Sequence, residues 1–162
     1  MKGFAFITLL AALSVAGLGP AYHVAVAQGE KPKAVDSILG VCVGAKIEEV
    51  HAKLKDLGMV GGRATRDGGR KEAWTLKETE FTSVAYKTNA AGRVVWITGF
   101  VRPGKEIPFD KLGDLARATG KDKAGAVWDV ETQSGSYKLV AKGPDGKARV
   151  VTLISLDAPP IK

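Results

Sequence analysis

The chain has 162 residues, with one cysteine, two histidines and a formal net charge of +7. A single cysteine excludes an internal disulfide, and a zinc site needs more histidine, cysteine or carboxylate ligands than such a chain readily supplies. The positive charge favours acidic partners. Nucleic acid is not expected among them, because the sequence shows no basic face interleaved with aromatic residues in a known module.

The first 27 residues predict a secretory signal peptide. Lys2 precedes an apolar run from Phe4 to Leu18, and Ala25-Val26-Ala27 has the small-x-small pattern of a cleavage site. This run is shorter than the about 20 residues that span a bilayer, so a transmembrane protein is not expected. We therefore expect cleavage near Ala27–Gln28, export to the periplasm or the medium, and a flexible leader over residues 28–36.

A lipid anchor is not expected, although Cys42 follows Leu39-Gly40-Val41 in a sequence that faintly resembles a lipobox. Val41 is branched where lipoprotein processing requires a small residue, and charged residues separate Cys42 from the apolar run. The sequence instead predicts that Cys42 is a small buried apolar residue.

The first predicted unit, residues 37–102, begins with an amphipathic helix. Ile47, Val50, Leu54 and Leu57 recur at helical spacing, and Gly58 is typical of a helix C-terminus. Short β-prone runs separated by turns rich in Gly or Asn come next and predict an antiparallel meander. These runs are residues 63–66, 71–77, 83–87 and 93–101.

The second predicted unit, residues 103–157, repeats this order and precedes a tail over 158–162. A helical stripe over residues 109–116 is followed by strands over 126–131, 136–142 and 147–155. The distances from Trp74 to Gly92 and from Trp128 to Gly146 are both 18 positions. The sequence therefore predicts an α+β fold of two tandem helix-plus-antiparallel-meander units, with the helices on one face of a shared sheet.

The helix opening resembles a motif of two related families. Val43-Gly44, Val50 and Leu57-Gly58 are similar to the V-G-M-T-x-x-x-V…L-G pattern of the BamE (SmpA/OmlA) lipoprotein of the outer-membrane β-barrel assembly machinery. The same pattern occurs in the secreted β-lactamase inhibitor protein (BLIP), which contains two such units. Ala45 and Lys46 replace the usual Met and Thr, and the inhibitor's disulfide cysteines are absent. The resemblance implies a BLIP/BamE-like fold and transfers no binding residues.

Neither a catalytic nor a cofactor site is expected. After cleavage, His51 is the one histidine left, and no Ser, Cys or acid lies at a recognisable triad spacing from it. A solvated or core-edge histidine is the expected role. Glu48 and Glu49 are adjacent on a helix and point in different directions, and no glycine pair is followed by the Lys-Ser/Thr of a phosphate loop.

The best candidate for a binding site is the run 93–101, which is apolar on both alternating faces. Val95, Ile97 and Val101 form one face, and Val94, Trp96 and Phe100 the other. A central strand covered on both faces explains this pattern. The functional alternative is an exposed sheet surface on which Trp96 and Phe100 hold a protein partner. Two further residues extend this predicted site: Tyr86 and Arg102.

A second candidate is the basic hairpin formed by Arg63, Arg66, Arg70 and Lys71. The simpler interpretation is a solvated hairpin tip that keeps the protein soluble. The functional alternative is a site for an anionic envelope ligand, either a lipid headgroup or a polysaccharide. The sequence thus predicts an exported, non-enzymatic protein-binding module of the cell envelope, inhibitor-like or assembly-accessory, with anionic-ligand binding as the alternative.

Overall fold

The computed structural model describes residues 34–66, 68–132 and 135–157, and for residues 65 and 66 it describes the backbone only. The predicted signal peptide, residues 28–33 of the predicted leader and the predicted tail therefore lie outside the described residues. No helix in the described part of the chain is long and apolar enough to cross a membrane.

Most described residues lie in strands. The strands are β1 (Ser37–Ile38), β2 (Val41–Cys42), β3 (Gly58–Arg66), β4 (Gly69–Leu76), β5 (Phe81–Thr88), β6 (Val94–Val101), β7 (Ile107–Pro108), β8 (Gly120–Lys121), β9 (Gly125–Thr132), β10 (Gly135–Lys142), β11 (Lys147–Ala148) and β12 (Val150–Ser155). The α-helices are α1 (Ile47–Leu54) and α2 (Phe109–Leu112), and short 3-10 turns occur at Leu115–Arg117 and Pro144–Gly146.

One antiparallel sheet of eight strands organises the described residues, in the order β3-β4-β5-β6-β12-β10-β9-β8. The pairing of β6 with β12, from Trp96 opposite Ile154 to Phe100 opposite Val150, joins the strands of the two chain halves. β1 pairs with β2 and β7 with β11 in separate two-stranded sheets.

Alternation along the strands gives the large sheet one buried face. On β4, Glu72, Trp74 and Leu76 are buried while their neighbours point to the other side. The buried face is covered by α1, through Val50 and Leu54, and by the segments around β1 and α2. We call this side the covered face; it holds the hydrophobic core.

The predicted α+β fold of two helix-plus-meander units is wrong. The described residues are 15% helical and 55% strand, so the architecture is mostly β. The predicted stripe over residues 109–116 forms only the single turn of α2, followed by a 3-10 turn.

The second helix ends early because of the residues immediately after Leu112. A Cβ on Gly113 would lie 3.0 Å from the Trp128 ring, so only glycine, which has no side chain, fits at this position. The Asp114 side chain then accepts a hydrogen bond from the Ala116 backbone N–H at 3.0 Å and starts the 3-10 turn. Trp128 Nε1 also donates to the Asp114 carbonyl at 2.9 Å, which fixes this departure from the helix.

The first half of the chain agrees better with its predicted elements. The amphipathic pattern forms α1, although the helix ends at Leu54 rather than at Leu57. The Gly- and Asn-bearing turns separate antiparallel strands as expected. Cys42, however, is exposed. Ile38 and its partner Val41 are the buried pair of the short β1–β2 ladder, so Cys42, opposite Ser37, points outward.

Candidate functional site

The second face of the large sheet is not covered by any helix or strand of the described residues, and we call it the open face. Residues paired across antiparallel strands share a face, so the register defines three parallel rows on it. The first row is Lys71, Lys87, Trp96, Ile154, Lys138 and Asp129; the second is Ala73, Ala85, Thr98, Thr152, Val140 and Val127; the third is Thr75, Ser83, Phe100, Val150 and Lys142.

The middle row consists of Ala, Thr and Val side chains, and on β6 an aromatic ring flanks it on each side. Trp96 stands on one side of Thr98 and Phe100 on the other. Thr98 is only 4% exposed, and its hydroxyl lies 2.8 Å from that of Thr152 on the neighbouring strand. The three rows therefore form a trough that runs across the strands, with a hydrogen-bonded floor between two aromatic side chains.

Trp96 and Phe100 both lie on the open face. Phe100 is 42% exposed and Trp96 is half-buried. Val94, which the sequence placed with them, belongs instead to the covered face, where it is 1% exposed. A register shift at the end of the β5–β6 ladder explains the difference, because Thr88 pairs with Val94 and Lys87 with Trp96, which leaves Val95 as the extra residue of a bulge.

Charge on the open face is mainly positive. The Lys71 ammonium lies 5.8 Å from the centre of the Trp96 ring, within cation–π range. Lys87 lies beside Lys71 in the same row, and Lys138 pairs with Asp129 at 3.0 Å. At the β8–β10 end of the trough, a shallow cleft of about 540 Å³ has Lys121 and Lys142 among its lining residues.

The other two residues of the predicted binding site lie elsewhere. Tyr86 points to the covered face and is fully buried, so it cannot extend the open face. Arg102 comes directly after β6, and its guanidinium donates to the backbone carbonyls of Leu76, Thr79 and Phe81. Arg102 therefore holds the turn between β4 and β5 rather than adding to the aromatic surface.

The covered face contains a polar cluster around Glu72, which we call the Glu72 cluster. The Glu72 side chain is fully buried, and one oxygen, Oε2, lies 2.7 Å from His51 Nε2. The Tyr86 hydroxyl donates to the same oxygen at 2.5 Å, and Trp74 Nε1 lies 3.4 Å from it. His51 itself lies at the edge of the core, with its ring tilted 53° against the Trp74 ring.

These hydrogen bonds keep the buried carboxyl ionised. Burial by itself raises the pKa of Glu72, but the hydrogen bonds from Tyr86 and His51 more than offset burial, so the pKa lies below its ordinary value. Burial, together with the neighbouring Glu72 carboxylate, raises the pKa of Tyr86 well above its ordinary value. Tyr86 therefore remains a neutral donor to an ionised acceptor.

The Glu72 cluster links several elements of the fold. Its carboxylate has no exposed surface, whereas the His51 side chain is about a third exposed. The cluster connects α1, through His51, to β4 and β5. Sequence reasoning missed it, although one signal was present: Glu72 occupies a buried-face position in the alternation with Trp74 and Leu76, where a lone charge needs partners.

The basic hairpin does not form one patch in the described residues. Arg63 Nε and Arg70 Nε lie 3.1 and 3.3 Å from Glu72 Oε1 on the covered side, so their charges face a carboxylate. Lys71 points to the open face, over Trp96. The side chain of Arg66 lies outside the described residues.

In the described ranges, no group of three or more histidine, cysteine or acidic side chains is arranged to hold a metal ion. Comparisons of the chain with known protein families, with characterised proteins and with solved structures find no match.

Proposed function

We propose that this chain is an exported, non-enzymatic protein-binding module of the cell envelope, inhibitor-like or assembly-accessory, that holds its partner on the open face. One observation carries the proposal: Trp96 and Phe100 flank a trough of small side chains that no described element covers. The predicted signal peptide supports a periplasmic or secreted location.

The chemistry of the open face suits a protein partner. Partly exposed aromatic side chains are typical anchors of protein interfaces, and an exposed apolar surface commonly marks such an interface. Ile154 and Val150 pair with Trp96 and Phe100 and extend the apolar area onto β12. A partner surface with an apolar centre and an acidic rim fits this face, since lysines surround the aromatic residues.

Photo-crosslinking tests the proposal. A benzophenone amino acid replaces Phe100 in one variant and Lys55, an exposed residue after α1, in a matched control. After irradiation in the envelope of the producing cell, we expect one discrete protein adduct from position 100 and none from position 55. Trp96→Ala, combined with the label at position 100, should remove the adduct. Equal adducts from both positions, or none from position 100, contradict the proposal.

A salt titration of the reversible complex, formed from the unlabelled protein and the partner identified by the adduct, separates the proposal from the alternative, an anionic envelope ligand held by the basic hairpin. Contacts made mainly by apolar side chains change little with ionic strength. Loss of affinity by about tenfold or more between low and physiological salt would favour the anionic ligand. The division of the basic hairpin argues against that alternative, because Arg63 and Arg70 lie on the covered side whereas Lys71 lies on the open face, over Trp96.

A further inference from the structure

The two edges of the large sheet differ in length. One edge is β8, a strand of two residues. The other is β3, Gly58–Arg66, with nine residues and a single partner, β4. An edge strand presents unpaired backbone N–H and C=O groups along its free side, and proteins usually shorten or cover such strands. Among the described residues no element covers β3.

The side chains of β3 leave its free side accessible. Residues 59–64 are all exposed, and Met59 reaches 66%. Gly61 and Gly62 present no bulk, and a Cβ on Gly62 would meet no atom within 4 Å. A register shift between Val60 and Gly62 bends the ladder to β4, but the pairing continues on both sides of it.

We propose that β3 is a docking edge for an extended acidic segment of another protein, which adds to the sheet as a further antiparallel or parallel strand. This is the β-augmentation mode, in which main-chain hydrogen bonds supply affinity and side chains supply selectivity. The surface is distinct from the open face, and the inference does not depend on the proposed function.

Charge determines the choice of an acidic partner segment. The sequences of β3 and β4 contain four basic residues and one acidic residue, Glu72, a net charge of +3. Glu72 is fully buried, whereas the side chain of Arg63, on β3 itself, is 53% exposed. An incoming strand with carboxylates therefore meets an accessible arginine on its direct neighbour, and opposite charges across neighbouring strands stabilise a pair.

A second copy of this chain is a poorer occupant. Pairing β3 with another β3 would place two strands together that each contain Arg63 and Arg66 and no acidic residue. Like charges opposite one another destabilise a strand pair, and the net charge of the chain, +7, opposes self-association as well.

Selection from a displayed library of random peptides, about 12 residues long and so able to cover β3, tests the proposal on the exported protein. We expect enriched peptides to be acidic and rich in β-branched residues. On binding, they should slow hydrogen exchange of backbone amides within residues 58–66. A library that yields no enriched peptide, or peptides that are neutral or basic, overturns the proposal.

A charge-swap pair at the edge provides the control. The double variant Met59→Glu/Gly62→Glu should bind the selected peptide with an affinity about tenfold or more below that of the wild type. The variant Met59→Lys/Gly62→Lys should bind it at least as tightly as the wild type. Both pairs change two exposed positions with side chains of similar size, and circular dichroism checks that both fold.

Trp96→Ala separates this edge from the open face. It should leave peptide affinity unchanged. Binding that is lost in Trp96→Ala and kept in the Glu variant would place the peptide on the open face and overturn the edge proposal, while leaving the proposed function intact. A concentration-dependent dimer that protects residues 58–66 without any peptide would show that a second copy occupies the edge, and it would overturn the proposal too.

Discussion

Tyr86→Phe gives the sharpest test of the Glu72 cluster, because it removes one hydroxyl and leaves the ring. The Tyr86 hydroxyl donates to an ionised, fully buried carboxylate at 2.5 Å. Hydrogen bonds to charged groups contribute about 1.5–3 kcal/mol, against about 1 kcal/mol for neutral pairs. We therefore expect Tyr86→Phe to lower the free energy of unfolding by about 2–3 kcal/mol.

Tyr137→Phe is the matched control. Tyr137 is also a buried tyrosine, 5% exposed, and its hydroxyl donates to the neutral carbonyl of Val35 at 3.1 Å. This variant should lower the free energy of unfolding by about 1 kcal/mol. Urea unfolding followed by far-UV circular dichroism measures both values, and an unchanged denaturant slope indicates that the change lies in stability.

The pH dependence adds a second criterion. Because the folded-state pKa of Glu72 lies below its ordinary value of 4.5, the stability from its ionised form is complete above pH 4.5. It is lost as the pH falls through the folded-state pKa. The difference between wild type and Tyr86→Phe should therefore shrink in acid, while that of Tyr137→Phe should not. Equal losses for both variants at neutral pH, or a Tyr86→Phe difference that does not change with pH, would refute this account of the cluster.

Three further predictions concern titration, packing and the two kinds of tryptophan. Burial, with the nearby charge of Asp36, raises the pKa of Tyr137 to about 12, and burial also raises the pKa of Tyr86 well above its ordinary value. Of the three tyrosines in the chain, at most one should therefore ionise near pH 10 when absorbance at 295 nm is followed, and two would contradict the prediction. Gly99→Ala should cost about 1–3 kcal/mol in thermal or urea unfolding, because its Cβ would lie 2.6 Å from the Phe81 ring, whereas Gly62→Ala should be neutral or slightly stabilising. Trp128→Ala should lower the free energy of unfolding in urea by about 3–5 kcal/mol, because the Trp128 ring lies in the core. Trp96→Ala should lower it distinctly less, because the Trp96 ring is only half-buried. Equal losses would contradict this assignment.

Local patterns in the sequence predicted the elements of the first half of the chain. The 3.6-residue spacing of Ile47, Val50 and Leu54 identifies α1, because apolar residues at this spacing lie on one face of an α-helix and can pack together against the core. Glycine-bearing turns between β-prone runs identify the hairpins. These patterns depend on interactions within a few residues of the sequence, so they predict the local elements without knowledge of the tertiary structure.

The same reasoning failed where distant residues determine the outcome. The stripe that includes Phe109, Leu112 and Leu115 has helical spacing, but Gly113 packs under Trp128 from a strand 15 positions later, and the helix stops. The Glu72 cluster needs His51, 21 positions earlier, and Tyr86, 14 positions later. Sequence alone showed a buried-face glutamate, but not which side chains would satisfy it.

The contrast between the two faces of β4, β5 and β6 is the basis of the proposed binding role. On the covered face of the described strands, the buried carboxylate of Glu72 lies against side chains from α1, β3, β4 and β5. On the open face, Trp96 and Phe100 remain partly in water, with Lys71 over the Trp96 ring. Keeping aromatic rings there adds little to stability and adds a risk of aggregation. A partner that buries both rings provides a reason for them that the isolated fold does not.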